Sequence, residues 1–492
     1  MITFIVSLIL LILGYFIYGK VVEKIIGIDA KKPAPCYSLQ DGVDYIPMPT
    51  WKVYLIQFLN IAGTGPIFGA IQGILFGPAA YLWIVLGCIF GGAVHDYMSG
   101  MISMKKNGAS LPEIVGDELG ITGRQVMRAF TLMLMILVGA VFVTTPAGLL
   151  NGMTGNIIGL DGYFFWVFVI IAYYLLATLL PINKIIGAVY PIFGVALLVM
   201  AVSLFVGIFI EPGNIPEITG AFQNHHPVGT MPIFPGICIT IACGAVSGFH
   251  ASQSPMMARC MKSEKYGRPV FYGAMITEGI VALIWATAAI KFGDSLPGDG
   301  ETPYQKLLAC MTNPETGAIN PAVVVTKICH SWLGTFGAVL AILGVVAAPI
   351  TTGDTAFRCA RLITADILKI KQDKILKRIV LSLPIFAIAI VLMFVKFDIL
   401  WRYFGWFNQT LSIFTFWAIT VYLAKKGKAY GVSLVPGLFM TLTCLTYILI
   451  APEGFSLPHP IAYALGGALT AVCLIRFCIW KRAYDRLQPL KR

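Results

Sequence analysis

Residues 59–77, LNIAGTGPIFGAIQGILFG, are apolar enough to cross a bilayer, yet five glycines and a proline interrupt the run. Glycine gives up helix stability and proline removes a backbone donor, so no continuous helix is expected through Gly63, Thr64, Gly65 and Pro66. Backbone polar groups cannot be left bare in hydrocarbon. Such a break survives only where protein or a water-filled cavity satisfies it. A second apolar run is interrupted in the same way, at Cys243-Gly244-Ala-Val-Ser247-Gly248-Phe249-His250.

The rest of the chain explains why hydrocarbon is the right reference. Of 492 residues 58% are apolar and only 12% charged, with a mean hydropathy of +0.82. A water-facing globular surface needs roughly twice that share of charge. Apolar runs of spanning length fall at 2–19, 53–77, 78–103, 126–150, 163–182, 185–210, 234–258, 269–290, 332–356, 379–396, 400–424, 430–451 and 460–481. Thirteen spans follow, and with them an all-α membrane protein. No intervening polar piece is long enough to bury a core of its own. The first run lacks a basic leader and a small-residue cleavage site, so it reads as a retained helix.

The net charge of +12 does not point to nucleic acid, because the basic residues come in short bursts between apolar runs. Threaded with the N-terminus outside, the chain places 30 of its 35 Lys and Arg on inner segments and 5 on outer ones. That division predicts a multi-pass protein of a bacterial-type cell membrane with a cytoplasmic C-terminus. Most of the eleven cysteines sit in apolar runs and read as small hydrophobes. Cys310 and Cys329 flank an outer loop, where a disulfide is one reading and two free thiols the other.

Counted from residue 53, the first break lies in the first helix of a five-helix block, 53–210, and the second in the first helix of another, 234–424. Five is odd, so the second block starts on the opposite side of the membrane. Matched breaks in inverted blocks are the sequence mark of a transporter built from inverted repeats. Residues 1–52 add one helix and a cytoplasmic segment, 211–233 an outer loop, and 425–492 two further helices and a tail. Each break taken alone also fits close helix packing; their matched places favour a site. Amides of the broken helices near Gly63–Gly65, with Pro66, and near Ser247–Phe249, with His250, are expected to meet a substrate carboxylate, and half-helix C-termini a cation.

Ionisable residues within the spans are costly, and they default to functional candidates. Glu278 stands about nine residues into its helix, roughly 14 Å at the helical rise, near the midplane. It is the leading proton-coupling candidate, with a carboxyl hydrogen-bonded to a neighbouring helix as the plain alternative. His95 and Asp96 suit a gate or polar network near an inner helix end. Asp354 suits gating or an ion pair with Arg358 one turn on. His250 follows the second break and can titrate near neutral pH. His225 and His226 fall in the outer loop and are expected to be solvated. Asn408 and Gln409 place amides in the tenth helix of the two blocks, fit for gating or for hydrogen bonds to substrate.

The stretches DGVDYIP (41–47), IAGTGPIFG (61–69), GAVHDYMSG (92–100), ITIACGAVSGFHA (239–251), GDTAFRCARLITADIL (353–368) and FNQTL (407–411) resemble the carbon starvation protein A family of peptide and pyruvate transporters. The likeness runs from about residue 40 to residue 420 and looks like a shorter branch. It implies an amino-acid/polyamine/organocation-type fold and uptake of peptides or pyruvate in carbon starvation, a stress response, coupled to a proton or sodium gradient. In such folds hydroxyls like those of Thr351 and Thr352 help to hold a sodium ion with carbonyls of the first broken helix; back-bonding to their own helix is the alternative. The chain departs from the family at His95, where longer members carry Gln, and at SQSPMMARC (252–260), which replaces a Ser/Thr-rich stretch. Both lie near the expected permeation path, so the resemblance leaves the substrate open.

No resident cofactor or metal is expected, only transported H+ or Na+. The expected partners are a small-molecule substrate and the lipid bilayer. A channel and a starvation sensor are the rival readings, with an intramembrane enzyme behind them, since HExxH, GxGxxG and GxSxG are all missing.

Overall fold

The computed structural model describes residues 1–154, 162–179, 186–229, 231–314, 317, 319–372, 374–395 and 397–487. Lys184, Lys396, Lys491 and Arg492, all used in the charge division, lie outside them. Among the described residues the chain is helical, and its only β feature is an isolated bridge between Thr312 and Ile319.

Nine helices among the described residues are long and apolar enough to cross a membrane, and a tenth forms if the bent pair Thr50–Ile61 and Gly65–Phe76 counts as one span. The remaining three apolar runs fall on a broken segment, Ile233–Thr240 with His250–Ala258, on the helices from Pro321 to Leu368, and on Phe397–Lys425.

Burial sorts these helices. Glu264–Ser295 is 89% buried over its apolar window and Ala79–Lys105 is 78%, whereas Gly162–Leu179 is 28% and His459–Leu487 is 17%. Each of the four has an apolar window of spanning length, so the last two leave apolar surface for lipid. The first two form the centre of the bundle, where ionisable side chains can be enclosed by protein.

The segments that the charge division puts on one side do share a face. Lys105 pairs with Glu264 at 2.7 Å, Arg268 with Glu23 at 3.3 Å, Lys106 with Glu118 at 2.8 Å and Lys425 with Glu118 at 2.9 Å. At the other face Glu217 accepts hydrogen bonds from the Met1 ammonium and from the Thr3 backbone. Those donors hold the Glu217 carboxyl down at about 2. The outer histidines are not simply solvated as expected. His225 stacks on Tyr304 and His226 lies against Phe76, each with ring centroids 4.8 Å apart, so the loop docks back on the bundle. Cys310 and Cys329 are free thiols, and Lys327 Nζ lies 3.4 Å from Cys310 Sγ.

The DGVDYIP stretch has a structural explanation. Asp41 Oδ1 accepts from the backbone N–H of Val43, Asp44 and Tyr45 at 2.8–2.9 Å, and this turn sends Asp44 inward. Its carboxylate lies 3.1 Å from Arg358 and 3.8 Å from Arg361, both fully buried. Burial alone would raise the Asp44 carboxyl; the guanidinium groups of Arg358, Arg361 and Arg259 outweigh it and hold it below the usual range. Arg358 therefore reaches Asp44, and the Asp354 carboxylate accepts from the Tyr190 hydroxyl at 2.7 Å.

Candidate functional site

The two breaks pack against each other at the centre of the bundle. The first bends its helix by 49°. The second is a turn whose Gly244 has φ +92°, a conformation that disfavours any side chain. A Cβ on Gly65 would lie 2.4 Å from the Cys243 side chain, and one on Gly69 would lie 2.8 Å from the Thr240 carbonyl oxygen. The glycines thus serve close packing, and what they bring together is one break against the other. Gly65 meets Cys243 and Gly244 meets Pro66, while Gly63 packs on Thr352 and Gly248 on Asn408.

Asn408 closes the second break, which corrects one expectation. Its Oδ1 accepts from Phe249 N–H at 2.7 Å and from the Ser247 hydroxyl at 3.1 Å, while its backbone carbonyl accepts from Gly248 N–H at 3.1 Å. The N–H groups of Gly248 and Phe249 therefore do not face a substrate carboxylate. They are held by the neighbouring helix, as buried donors must be. Gln409 does the same for the preceding half, with Nε2 donating to the Cys238 carbonyl at 3.0 Å. Asn408→Ala leaves the Ser247 hydroxyl and the Phe249 N–H without their acceptor. It is expected to cost about 1–3 kcal/mol, read as a lowered thermal midpoint of the protein in detergent.

Four of the expected ionisable residues form a single chain of contacts. His95 Nδ1 and His250 Nδ1 sit 2.9 Å and 3.1 Å from the two oxygens of Asp96, and His250 Nε2 lies 3.7 Å from Glu278 Oε2. All four side chains are fully buried. Three elements contribute: Ala93–Lys105 carries His95 and Asp96, the half-helix after the second break carries His250, and Gly273–Ser295 carries Glu278. His95 and Asp96, expected to form a gate or a polar network, are joined through His250 to the candidate coupling residue.

The first break presents polar atoms of a different kind. Both amide atoms of Asn60, the Thr64 hydroxyl, Gln57 Oε1 and Gln253 Oε1 are buried without a hydrogen-bond partner. Thr352 Oγ1 back-bonds to Ala348 at 3.0 Å and also lies 3.4 Å from the carbonyls of Leu59 and Asn60. Thr351 back-bonds to Ala348 at 2.7 Å. Gln57, Gln253, Tyr190, Asp44 and Cys243 were not expected at or near the site. Cys243 and the polar faces of 50–61 and 250–258 were legible as parts of the broken segments; Tyr190 carried no sequence signal.

Fold and site together define a multi-pass helical membrane protein. The crystal structure of the manganese transporter of Eremococcus coleocola shares the fold, with a TM-score of 0.52 over 91% of this chain and 99% of that one, at 11% sequence identity. The family profile described as carbon starvation protein CstA matches residues 1–159 and 150–296. The chain belongs to that family.

Among its relatives, an uncharacterized membrane protein of Haemophilus influenzae is 44% identical over 57% of this chain and 88% of its own. The peptide transporter CstA of Bacillus subtilis is 33% identical over 58% of this chain and 57% of its own. The pyruvate/proton symporter BtsT of Escherichia coli is 26% identical over 63% and 51%. The chain spans about half the length of these two named transporters. The named relatives are transporters, not enzymes, in keeping with the sequence reading.

Proposed function

We propose that the chain is a secondary active transporter that imports a small solute through a site between the two breaks, with short peptides as the first choice of cargo and pyruvate-like carboxylates as the second. The observation that carries this reading is the contact between the two breaks, with the buried chain His95–Asp96–His250–Glu278 attached to it. Thirteen spans, an inverted pair of five-helix blocks at 53–210 and 234–424, an outer N-terminus and an inner C-terminus complete the proposal, and alternating access would expose the site to each side in turn.

The preference for peptides rests on hydrogen-bond inventory. Gln57 Oε1, Asn60 Oδ1 and Gln253 Oε1 are acceptors in need of a donor, set against one amide donor there, Asn60 Nδ2, in need of an acceptor. A peptide brings N–H groups and an ammonium, whereas pyruvate brings only acceptors. Proton coupling is favoured by the imidazole–carboxylate chain, whose members can each take up or release a proton. Sodium is the second reading, supported by the Thr352 hydroxyl beside the Leu59 and Asn60 carbonyls.

Uptake into proteoliposomes tests this directly. Labelled dipeptide and labelled pyruvate are offered separately under a pH gradient and under a sodium gradient. Accumulation of dipeptide driven by the pH gradient is the expected result. Flux that follows the solute gradient alone would make the protein a channel, and no flux of either solute would remove the substrate assignment.

A further inference from the structure

We propose that Cys243, His250 and Glu278 form a binding site for one divalent transition-metal ion of the zinc class, placed where the second break meets Gly273–Ser295. One ligand atom from each residue lies within 4.8 Å of the other two, and all three residues are buried. His250 Nε2 and Glu278 Oε2 are 3.7 Å apart, and donors set tetrahedrally 2.0–2.3 Å from an ion are separated by about 3.3–3.8 Å. For one nitrogen and one oxygen ligand the tetrahedral edge is about 3.3–3.5 Å, so this edge lies within a few tenths of an ångström of a ligating geometry. Cys243 Sγ lies within 4.8 Å of both other ligand atoms, and a change of its single side-chain torsion moves it relative to them.

Two further observations point to a ligand. Nε2 of His250 and both oxygens of Glu278 are buried and lack a well-formed hydrogen bond, their nearest polar neighbours being each other, Cys243 and the Gly244 backbone. Asp96 lies 3.1 Å from Nδ1 of His250, so a proton kept on Nδ1 would free the Nε2 lone pair for an ion beside Glu278. His95 in turn holds the other oxygen of Asp96 at 2.9 Å. A carboxylate bonded behind a ligating imidazole is the usual support of a metal histidine.

The donor set selects the ion. One sulfur, one nitrogen and one carboxylate oxygen suit zinc or cobalt, whereas magnesium and calcium want oxygen alone. A thiolate and a carboxylate together balance the ion's charge in a region where unpaired charge is expensive. Three protein ligands leave a coordination position for water or for a carboxylate on the solute. Because the donors must be deprotonated, the ion and protons compete for the same atoms. Asp96, His95 and Cys88 are the other titratable groups packed around them.

Cobalt is the probe. The full-length protein in detergent is titrated with Co2+, and one equivalent is expected to bind with a thiolate-to-metal charge-transfer band that one equivalent of Zn2+ abolishes. Cys243→Ser should lose the band, Cys444→Ser should keep it, and Asp96→Asn should weaken binding by about 10–100-fold. Wild-type protein without the band, or a band that survives in Cys243→Ser, overturns the site. Where the serine variant does not fold, X-ray absorption of the zinc-loaded wild type decides: one sulfur among nitrogen and oxygen neighbours supports the site, and a sulfur-free shell rejects it. Transport does not enter these readouts, so failure here leaves the carrier reading standing, and the reverse holds too.

Discussion

Gly248→Ala is expected to destabilise the folded protein by about 3 kcal/mol, the upper end of what an added methyl group costs in a packed interior. The new Cβ would lie 2.2 Å from the Asn408 carbonyl oxygen and 2.6 Å from the Ser412 backbone nitrogen. Both are backbone atoms of one helix, so no side-chain rotation relieves the clash. Moving that helix would also break the hydrogen bonds through which Asn408 closes the second break. Thermal unfolding followed by size exclusion in detergent measures the effect. Gly467→Ala is the control, since nothing lies within 4 Å of its Cβ position. Equal midpoints for the two variants would show that the second break tolerates slack.

Glu278→Gln is expected to lower gradient-driven accumulation between about 5- and 150-fold, the range that coupling free energies of about 1–3 kcal/mol span. Glutamine keeps the shape and the hydrogen-bonding capacity but cannot carry a proton to or from His250, 3.7 Å away. Exchange of labelled for unlabelled solute across the same membrane should persist, because exchange needs the site but not the gradient. Accumulation that survives in Glu278→Gln would take this residue out of coupling. Loss of exchange along with accumulation would make it part of the solute site instead.

The membrane class was legible from charge and hydropathy alone, because a lipid-facing surface forbids what a water-facing one requires. Both breaks were legible for the same reason, since glycine and proline cannot hide in an apolar run. What stayed hidden was the pairing. Asp96, His250 and Glu278 stand up to 182 positions apart in the chain, and no local pattern says that they touch. Asn408, read from the sequence as a gate or substrate contact, shows in addition a role that no local pattern announces, since its Oδ1 caps the second break. Cys243 was discounted with the other apolar cysteines, although its place inside a break set it apart. The Asp354–Arg358 spacing suggested a helical ion pair; Arg358 also reaches Asp44, and the Asp354 carboxylate accepts from Tyr190. Helical spacing proposes a neighbour; the tertiary fold offers better ones.

The bonding at the two breaks is unequal. The second is tied to Phe397–Lys425 by side-chain and backbone bonds from Asn408, whereas Asn60 and Thr64 at the first keep their polar side-chain atoms uncommitted. A machine with one jaw bolted and one loose moves the loose one. In the proposed transport cycle the half tied through Asn408 is expected to hold still and the half around Asn60 to move, so a probe attached near Asn60 should report motion that one near Asn408 does not.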